Sequence, residues 1–275
     1  QILLYRLGEI NLQTVEYGEK ILKNGVEISL FPAGHVIGSA QIRIEYQGEV
    51  WVVSGDYKVE DDGISTPFEP VKCHTFITES TFALPIYQWE DQALIVDRIH
   101  NWAISNQGKG RNSILTAYSL GKAQRLIHAL STYGYKFYAH GAIFQMNETI
   151  RQFLPLPYIE YLRPEIPKED ILKGIILMPP SAENSPWLKR WQPHSLGICS
   201  GWMQVRGAQR RRNADAGFAL SDHADWPGLL QATNATEAEK VYVTHGFSNV
   251  LARYLLEAYS LQAEVIKTNY DEEEE

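Results

Sequence analysis

The sequence predicts an α/β protein, and three observations lead to this class. Short runs of β-branched and aromatic residues are separated by connections rich in Gly, Pro and Asp. From about residue 90 these runs alternate with segments of helical spacing, which is typical of a parallel α/β sheet. A hydrophobic content of 44% over 275 residues allows a substantial core.

The first part of the chain is predicted to be rich in strands. Residues 26–30, 40–46, 50–53 and 75–78 are predicted as strands because each run ends at turn-forming residues. The apolar opening, residues 1–7, is also predicted as strand-like. These segments should form a β-rich layer.

The rest of the chain is predicted to alternate between helices and strands. Apolar residues at helical spacing predict helices over 91–105, 121–133, 225–233 and 249–259. Strands are predicted between them, over 113–118, 171–178, 195–200, 218–220 and 241–244.

Composition limits the environment and the partners. Only two cysteines are present and they form no CxxC pair, so we expect a reducing cytoplasm. No apolar stretch reaches the length that spans a bilayer, and we expect no membrane partner. The net charge of −8 argues against broad nonspecific binding of nucleic acid, but without the five carboxylates at 271–275 it is only −3. A local basic site therefore stays open.

Five histidines and carboxylates carry the candidate chemistry. They are His35 in PAGHVIGSA, Asp56 in VVSGDYK, Glu79 in FITESTF, His223 in LSDHADW and His245 in VYVTHG. Three of them follow predicted strands, and an α/β sheet collects its site at the carboxyl ends of its strands. Imidazole and carboxylate suit Zn²⁺ or Mn²⁺. Taken singly, each has an ordinary alternative as a turn or cap residue, but together they indicate part of a two-metal hydrolase site.

The positions of these residues predict an insertion. All candidates lie before about residue 80 or after about residue 220. We therefore expect an outer domain formed by residues 1–86 and 207–275, interrupted by an α/β domain over 87–206, which is an ordinary domain size.

The same segments resemble the metallo-β-lactamase fold hydrolases of the β-CASP branch, which are nucleases acting on DNA or RNA. Within that branch the chain looks most like the bacterial DNA-ligase-associated exonucleases, over essentially its whole length. PAGHVIGSAQI and SGDYK resemble the third and fourth metal motifs, and ESTF, SDHADW and VTHG resemble motifs A, B and C. The resemblance implies a metallo-β-lactamase αββα sandwich with an inserted β-CASP domain.

The resemblance also implies a role for each residue. His35 would bind one of two divalent metals, Zn²⁺ or Mn²⁺, Asp56 would bridge both, and His245 would bind the second. Glu79 would orient His223, which would contact the scissile phosphate and protonate the leaving group. This division agrees with phosphodiester chemistry, which needs an activated water, charge neutralisation and a proton donor.

One departure from the family pattern is clear. The HxHxDH signature, which supplies four metal ligands in the family, does not occur in this sequence. Because the chain begins with Gln1 rather than Met, we expect the signature to lie in a missing N-terminal segment. A naturally inactive relative is the alternative.

Basic residues are the candidates for substrate contact. Four arginines precede the segment of His223, and two further cations begin a predicted helix, where phosphate is favoured: Arg206, Arg210, Arg211, Arg212, Lys122 and Arg125. A solvated loop is the alternative for the arginines, and ordinary helix-surface charge is the alternative for Lys122 and Arg125.

The function that we expect first is that of a metal-dependent exonuclease that trims DNA in repair. Its functional partners would be a DNA ligase and a helicase. An RNA-processing nuclease is the alternative within the fold. A metal-free, noncatalytic nucleic-acid-binding subunit is the alternative from another class. Hydrolysis of a small thioester or lactam ranks last, because it does not explain the inserted domain.

Overall fold

The computed structural model describes residues 1–205 and 214–266. The strands, in chain order, are β1 Ile21–Lys23, β2 Val26–Pro32, β3 Ala40–Tyr46, β4 Glu49–Val53, β5 Thr75–Ser80, β6 Asn112–Thr116, β7 Phe137–Ala139, β8 Glu160–Tyr161, β9 Ile175–Met178, β10 His194–Cys199, β11 Ala216–Phe218, β12 Lys240–Gly246 and β13 Gln262–Val265. The α-helices of the described residues are α1 Ile2–Leu7, α2 Gln92–Gly108, α3 Lys122–Ser131, α4 Gly141–Arg151, α5 Lys168–Lys173, α6 Pro186–Lys189, α7 Trp226–Ala235 and α8 Ser248–Tyr259. The prediction of a mixed α/β fold is confirmed.

Gln13–Gln88 and Asp222–Glu275 form one of two compact units, which we call the outer unit. Its seven-stranded sheet has the order β1-β2-β3-β4-β5-β12-β13. Strands β1 to β4 pair antiparallel, whereas β4, β5, β12 and β13 pair parallel. Leu229 of α7 and Leu251 of α8 pack with Phe76 and Val243 of the sheet, so both helices cover the same face.

The opposite face of this sheet is apolar and open. Alternation along β4 buries Val52 completely but leaves Trp51 37% exposed. The register places Trp51 opposite Ile44, and Tyr46 and Ile42 of the same strand are 51% and 40% exposed. Further apolar residues on this face are Ile28, Leu30, Val53, Ile77 and Tyr242.

Gln1–Leu12 and Trp89–Ser221 form the second compact unit, which we call the inserted unit. Its six-stranded sheet has the order β11-β10-β6-β9-β7-β8 and is parallel throughout. Leu126 of α3 and Ile99 of α2 are fully buried against Leu115 and Leu177 of the central strands. None of the helices in the described part of the chain is long and apolar enough to span a membrane.

Besides shifts at element ends, such as β11 at Ala216–Phe218 where 218–220 was predicted, two predicted elements differ from the structure. Residues 2–7 form a helix rather than a strand, because Leu and Arg favour helix and Gly8 ends it with a φ of 77°. The predicted strand over 171–178 begins only at Ile175, because α5 continues to Lys173. A Cβ on Gly174, between the two elements, would lie 2.6 Å from Tyr138 Cε2, which requires glycine there.

The boundaries of the units also differ from the predicted domains 1–86, 87–206 and 207–275. Residues 1–12 belong to the inserted unit, in which α1 contacts α4. The inserted unit extends to Ser221, because β11 pairs parallel with β10 as the edge strand of its sheet.

Candidate metal centre

The candidate site residues lie on loops and at strand ends of the outer unit. Asp56 follows β4, and His35 lies in the turn between β2 and β3. Glu79 lies near the carboxyl end of β5, the parallel neighbour of β4, so its side chain and Asp56 reach the same edge of the sheet. His223 precedes α7, whose first turn is capped by the Asp225 carboxylate accepting from Gly228 N at 2.9 Å.

His35, Asp56 and His223 come together at this edge. Within the described residues they form a group whose candidate ligand atoms all lie within 4.8 Å of one another. His35 Nε2 lies 3.8 Å from Asp56 Oδ2, and the rings of His35 and His223 are 4.7 Å apart between centroids. The Asp56 side chain is 46% exposed, so the group opens to solvent.

The orientation of His35 is fixed by its own backbone surroundings. Its Nδ1 lies 2.8 Å from the carbonyl oxygen of Asp222. A carbonyl only accepts hydrogen bonds, so Nδ1 carries a proton and donates, and Nε2 is the nitrogen that can offer a lone pair to a metal. This arrangement is typical of a metal-ligating histidine, whose outer nitrogen is held by a carbonyl or carboxylate.

Glu79 holds His223 from the opposite side. His223 Nδ1 lies 3.0 Å from both carboxylate oxygens of Glu79. Tyr57 N donates to Glu79 Oε1 at 2.8 Å, and the Thr81 hydroxyl donates to Oε2. The Glu79 side chain is only 3% exposed, so these donors fix its position and direct His223 Nε2 away from it.

The two partners shift each other's pKa. Burial alone would lower the pKa of His223, but the hydrogen bond and charge of Glu79, aided by Asp56 and Asp222, raise it above its ordinary value. Burial alone would raise the pKa of Glu79, but His223, Thr81 and the backbone of Tyr57 hold it below its ordinary value. The Glu79 carboxylate therefore favours the charged imidazolium.

A buried ion pair, which the sequence analysis did not single out, stabilises the loop after Asp56. Lys58 Nζ lies 2.5 Å from Asp62 Oδ2, and the two side chains are 1% and 3% exposed. Asp62 also accepts from the backbone N–H of Ser65 at 2.7 Å. Lys58 N donates to Ala33 O at 3.1 Å, which joins the loop of Asp56 to the turn of His35. The only local signal was the spacing of four residues between Lys58 and Asp62.

The turn before His35 needs glycine at position 34. Gly34 has a φ of 70°, and a Cβ there would lie 2.3 Å from the carbonyl oxygen of Lys58. The close approach of two backbones thus places His35 beside Asp56.

His245 does not join the group that the structure describes. It is the last residue but one of β12, with a φ of 53°, and its side chain is exposed. Its carbonyl accepts from Ser80 Oγ at 2.7 Å, and a Cβ on Gly246 would lie 2.4 Å from Ser80 O, so the backbone here is closely fitted to β5. Metal binding by His245 stays a prediction.

The predicted substrate contacts have different settings. Arg206, Arg210, Arg211 and Arg212 lie outside the described residues. Lys122 and Arg125, in contrast, are 4% and 2% exposed, so the alternative of ordinary helix-surface charge is wrong for both. Arg125 donates to Gln92 Oε1 at 2.5 Å and to Ser221 O within the inserted unit. Substrate binding by either residue stays a prediction.

His35 and Asp56 offer donors of the kinds that Zn²⁺ accepts. The third member of the group, His223, favours the charged imidazolium beside Glu79, and a charged imidazolium does not bind a metal. A catalytic zinc site uses three protein ligands, so even one cation needs a donor beyond His35 and Asp56.

Comparison with known proteins identifies distant relatives. The chain is 29% identical over 235 residues to a probable DNA ligase of Opitutus terrae, covering 84% of this chain and 22% of the ligase. It is 24% identical over 304 residues to the endoribonuclease YSH1 of Saccharomyces cerevisiae, covering 88% and 38%. It is 30% identical over 128 residues to cleavage and polyadenylation specificity factor subunit 3 of Dictyostelium discoideum, covering 44% and 16%. The chain thus spans less than two fifths of each of these relatives.

A solved structure shares the fold. It is a protein of unknown function from Enterococcus faecalis V583, with a TM-score of 0.60 and 12% identity, matched over 94% of this chain and 66% of that one. No protein-family model matches the sequence. The chain is therefore similar, at distant identity, to a probable DNA ligase and to proteins named as endoribonucleases.

Proposed function

We propose that this protein is a metal-dependent phosphodiesterase acting on nucleic acid, a β-CASP nuclease of the metallo-β-lactamase fold. The observation that carries the proposal is the buried Glu79 holding His223 next to His35 and Asp56. The named endoribonuclease relatives support nucleic acid as the substrate.

His35 Nε2, with its lone pair free, and the exposed Asp56 carboxylate are the groups that would hold a divalent cation. Zn²⁺ or Mn²⁺ bound there supplies Lewis acidity and charge neutralisation for phosphodiester hydrolysis. By the resemblance two such metals would be held, and Asp56 and His245 would be among their ligands. Completing that pair requires donors beyond the described group.

His223 is the proton donor in this proposal. Its Nδ1–H donates a hydrogen bond to the Glu79 carboxylate. The proton given to the leaving oxygen is therefore the one on Nε2. Glu79 touches no reacting atom and acts as a positioning residue, because it sets the ring orientation and favours the charged form.

We propose DNA as the substrate and trimming from an end in repair as the role, in functional association with a DNA ligase and a helicase. Similarity to the probable DNA ligase over 84% of this chain supports this choice. RNA processing is the alternative, and the endoribonuclease names of the YSH1 relatives favour it.

The open face of the outer sheet supports the finer assignment of the fold. A sheet face that carries Trp51, Ile42 and Ile44 is normally covered by another layer. We propose that a second sheet covers it, as in an αββα sandwich. Solvent contact of Trp51 in a crystal structure of the full-length protein would contradict this assignment.

The test is digestion of end-labelled single strands of DNA and RNA by the full-length protein with Mn²⁺ or Zn²⁺. His35→Ala should abolish cleavage, whereas His128→Ala, which changes an exposed histidine on α3, should not. Shortening of DNA alone supports the repair exonuclease, and cleavage of RNA alone moves the protein to RNA processing. If neither strand is cleaved, or if His35→Ala cleaves as the unaltered protein does, the proposed function is wrong.

A further inference from the structure

The inserted unit contains a cavity of about 430 Å³ beside the first residue of β6, Asn112. Its volume lies within the range of roughly 300–1,000 Å³ that is usual for small-molecule sites. The walls are largely apolar and include Ile166, Ile171, Leu172 and Trp191.

Two cations border the same cavity. Lys168 is the first residue of α5, and Arg190 directly follows α6. Within the described residues neither side chain forms an ion pair, although the chain as a whole carries a net charge of −8. Two cations without a carboxylate partner, set on an apolar wall, favour a ligand that has both an anionic group and an apolar body.

The part of the wall formed by Asn112 and Trp191 is held in place by hydrogen bonds. Asn112 Nδ2 donates to Trp191 O at 2.9 Å, and Asn112 N donates to Pro193 O at 2.9 Å. Trp191 packs edge-on against Trp187, with ring centroids 6.0 Å apart. Its indole N–H is buried and has no acceptor among the described residues, so the region of the cavity retains an unsatisfied donor.

We propose that this cavity binds an organic monophosphate with a flat apolar body, of which a nucleoside 5′-monophosphate is the simplest form. The phosphate, which is close to a dianion at neutral pH, matches Lys168 and Arg190. The base and sugar occupy the apolar volume beside Trp191 and Ile171. The site lies wholly within the inserted unit and uses none of the residues proposed for hydrolysis.

The test is titration calorimetry of the full-length protein with adenosine 5′-monophosphate, compared with adenosine and with inorganic phosphate. The nucleotide should bind at least roughly tenfold more tightly than adenosine or phosphate alone. Adenosine can use only the apolar wall, and phosphate can use only the two cations. Replacing both cations, Lys168→Ala with Arg190→Ala, should weaken binding by roughly tenfold, since both are exposed and partly screened. The matched control is Lys173→Ala with Lys189→Ala, which removes the last residues of α5 and α6, two cations that do not line the cavity.

A second readout localises the ligand. The indole ¹H–¹⁵N resonance of Trp191, identified by its absence in Trp191→Phe, should shift on addition of the nucleotide and not on addition of phosphate. The proposal is overturned if the nucleotide does not bind, if adenosine or phosphate binds equally well, or if the control pair weakens binding as much as the cavity pair. Binding that leaves the Trp191 resonance unmoved places the ligand elsewhere and also overturns it.

Discussion

Removal of the Lys58 charge tests how the loop of Asp56 is stabilised. In Lys58→Met the side chain keeps its length, but the Asp62 carboxylate stays buried, 3% exposed, without its cation. Breaking a buried pair on one side costs about 3–5 kcal/mol. Asp62 retains donors from Ile64 N, Ser65 N and Ser65 Oγ, so we expect the lower end, about 3 kcal/mol.

Urea unfolding of the protein, followed by circular dichroism, measures this loss. The matched control is Lys72→Met, because Lys72 forms an ion pair of similar length, 2.6 Å, with Glu237, but the side chains are 72% and 65% exposed. That exposed pair should contribute less than about 1 kcal/mol. The double variant Lys58→Met/Asp62→Asn should recover part of the loss, because no uncompensated charge remains buried.

The pH dependence gives an independent check. Burial alone would raise the pKa of Asp62, but Lys58, Ser65 and Ile64 hold it below its ordinary value. In the unaltered protein this group therefore contributes stability above a pH of about 4, and that stability is lost as pH falls through the lowered pKa. In Lys58→Met no cation offsets the burial of the Asp62 carboxylate. Protonation of Asp62 therefore removes the buried charge and restores part of the variant's stability.

The loss of stability in Lys58→Met should consequently shrink as pH falls from neutral through about 4, because Asp62 of the variant takes up its proton while the unaltered protein loses its own contribution. The reasoning is refuted if Lys58→Met costs no more than Lys72→Met, or if its cost is unchanged between neutral and acidic pH. Either result would mean that water reaches Asp62 in the folded protein.

Two further predictions concern the candidate metal centre. His223→Ala should slow turnover by roughly 10²–10⁴-fold while zinc content, measured by atomic absorption, stays unchanged; loss of zinc would instead make His223 a ligand beside His35. Gly34→Ala should destabilise the protein by more than about 2 kcal/mol and reduce zinc content, because its Cβ would lie 2.3 Å from the Lys58 carbonyl oxygen. Gly48→Ala is the control for Gly34→Ala: its φ of 85° is similar, but no atom lies within 4 Å of its Cβ, so urea unfolding should show only about half that loss.

Local signals account for most of the elements that were predicted. The alternation in β3 and β4 and the apolar spacing of α2 and α8 arise from short-range periodicity, which a sequence displays directly. One error, at residues 2–7, overlooked a local helix propensity, and the other occurred where packing decides. The predicted strand over 171–178 begins only at Ile175, and the residue before it, Gly174, has no room for a Cβ beside Tyr138, a distant residue in the sequence.

The sequence by itself determined the α/β class and presented His35, Asp56, Glu79 and His223 at the ends of elements, because chain-local pattern and residue chemistry are sufficient for both. Only the tertiary structure decided which of them meet. His35 is oriented by a carbonyl 187 residues away, and His223 by a carboxylate 144 residues away. The tertiary structure also showed that His245 stays outside the group and that Arg125 is buried. It showed as well that Lys58 and Asp62 form an ion pair that is buried from water. Burial and long-range hydrogen bonds depend on how the sheets and loops pack in space, and the order of residues along the chain does not contain that distance information.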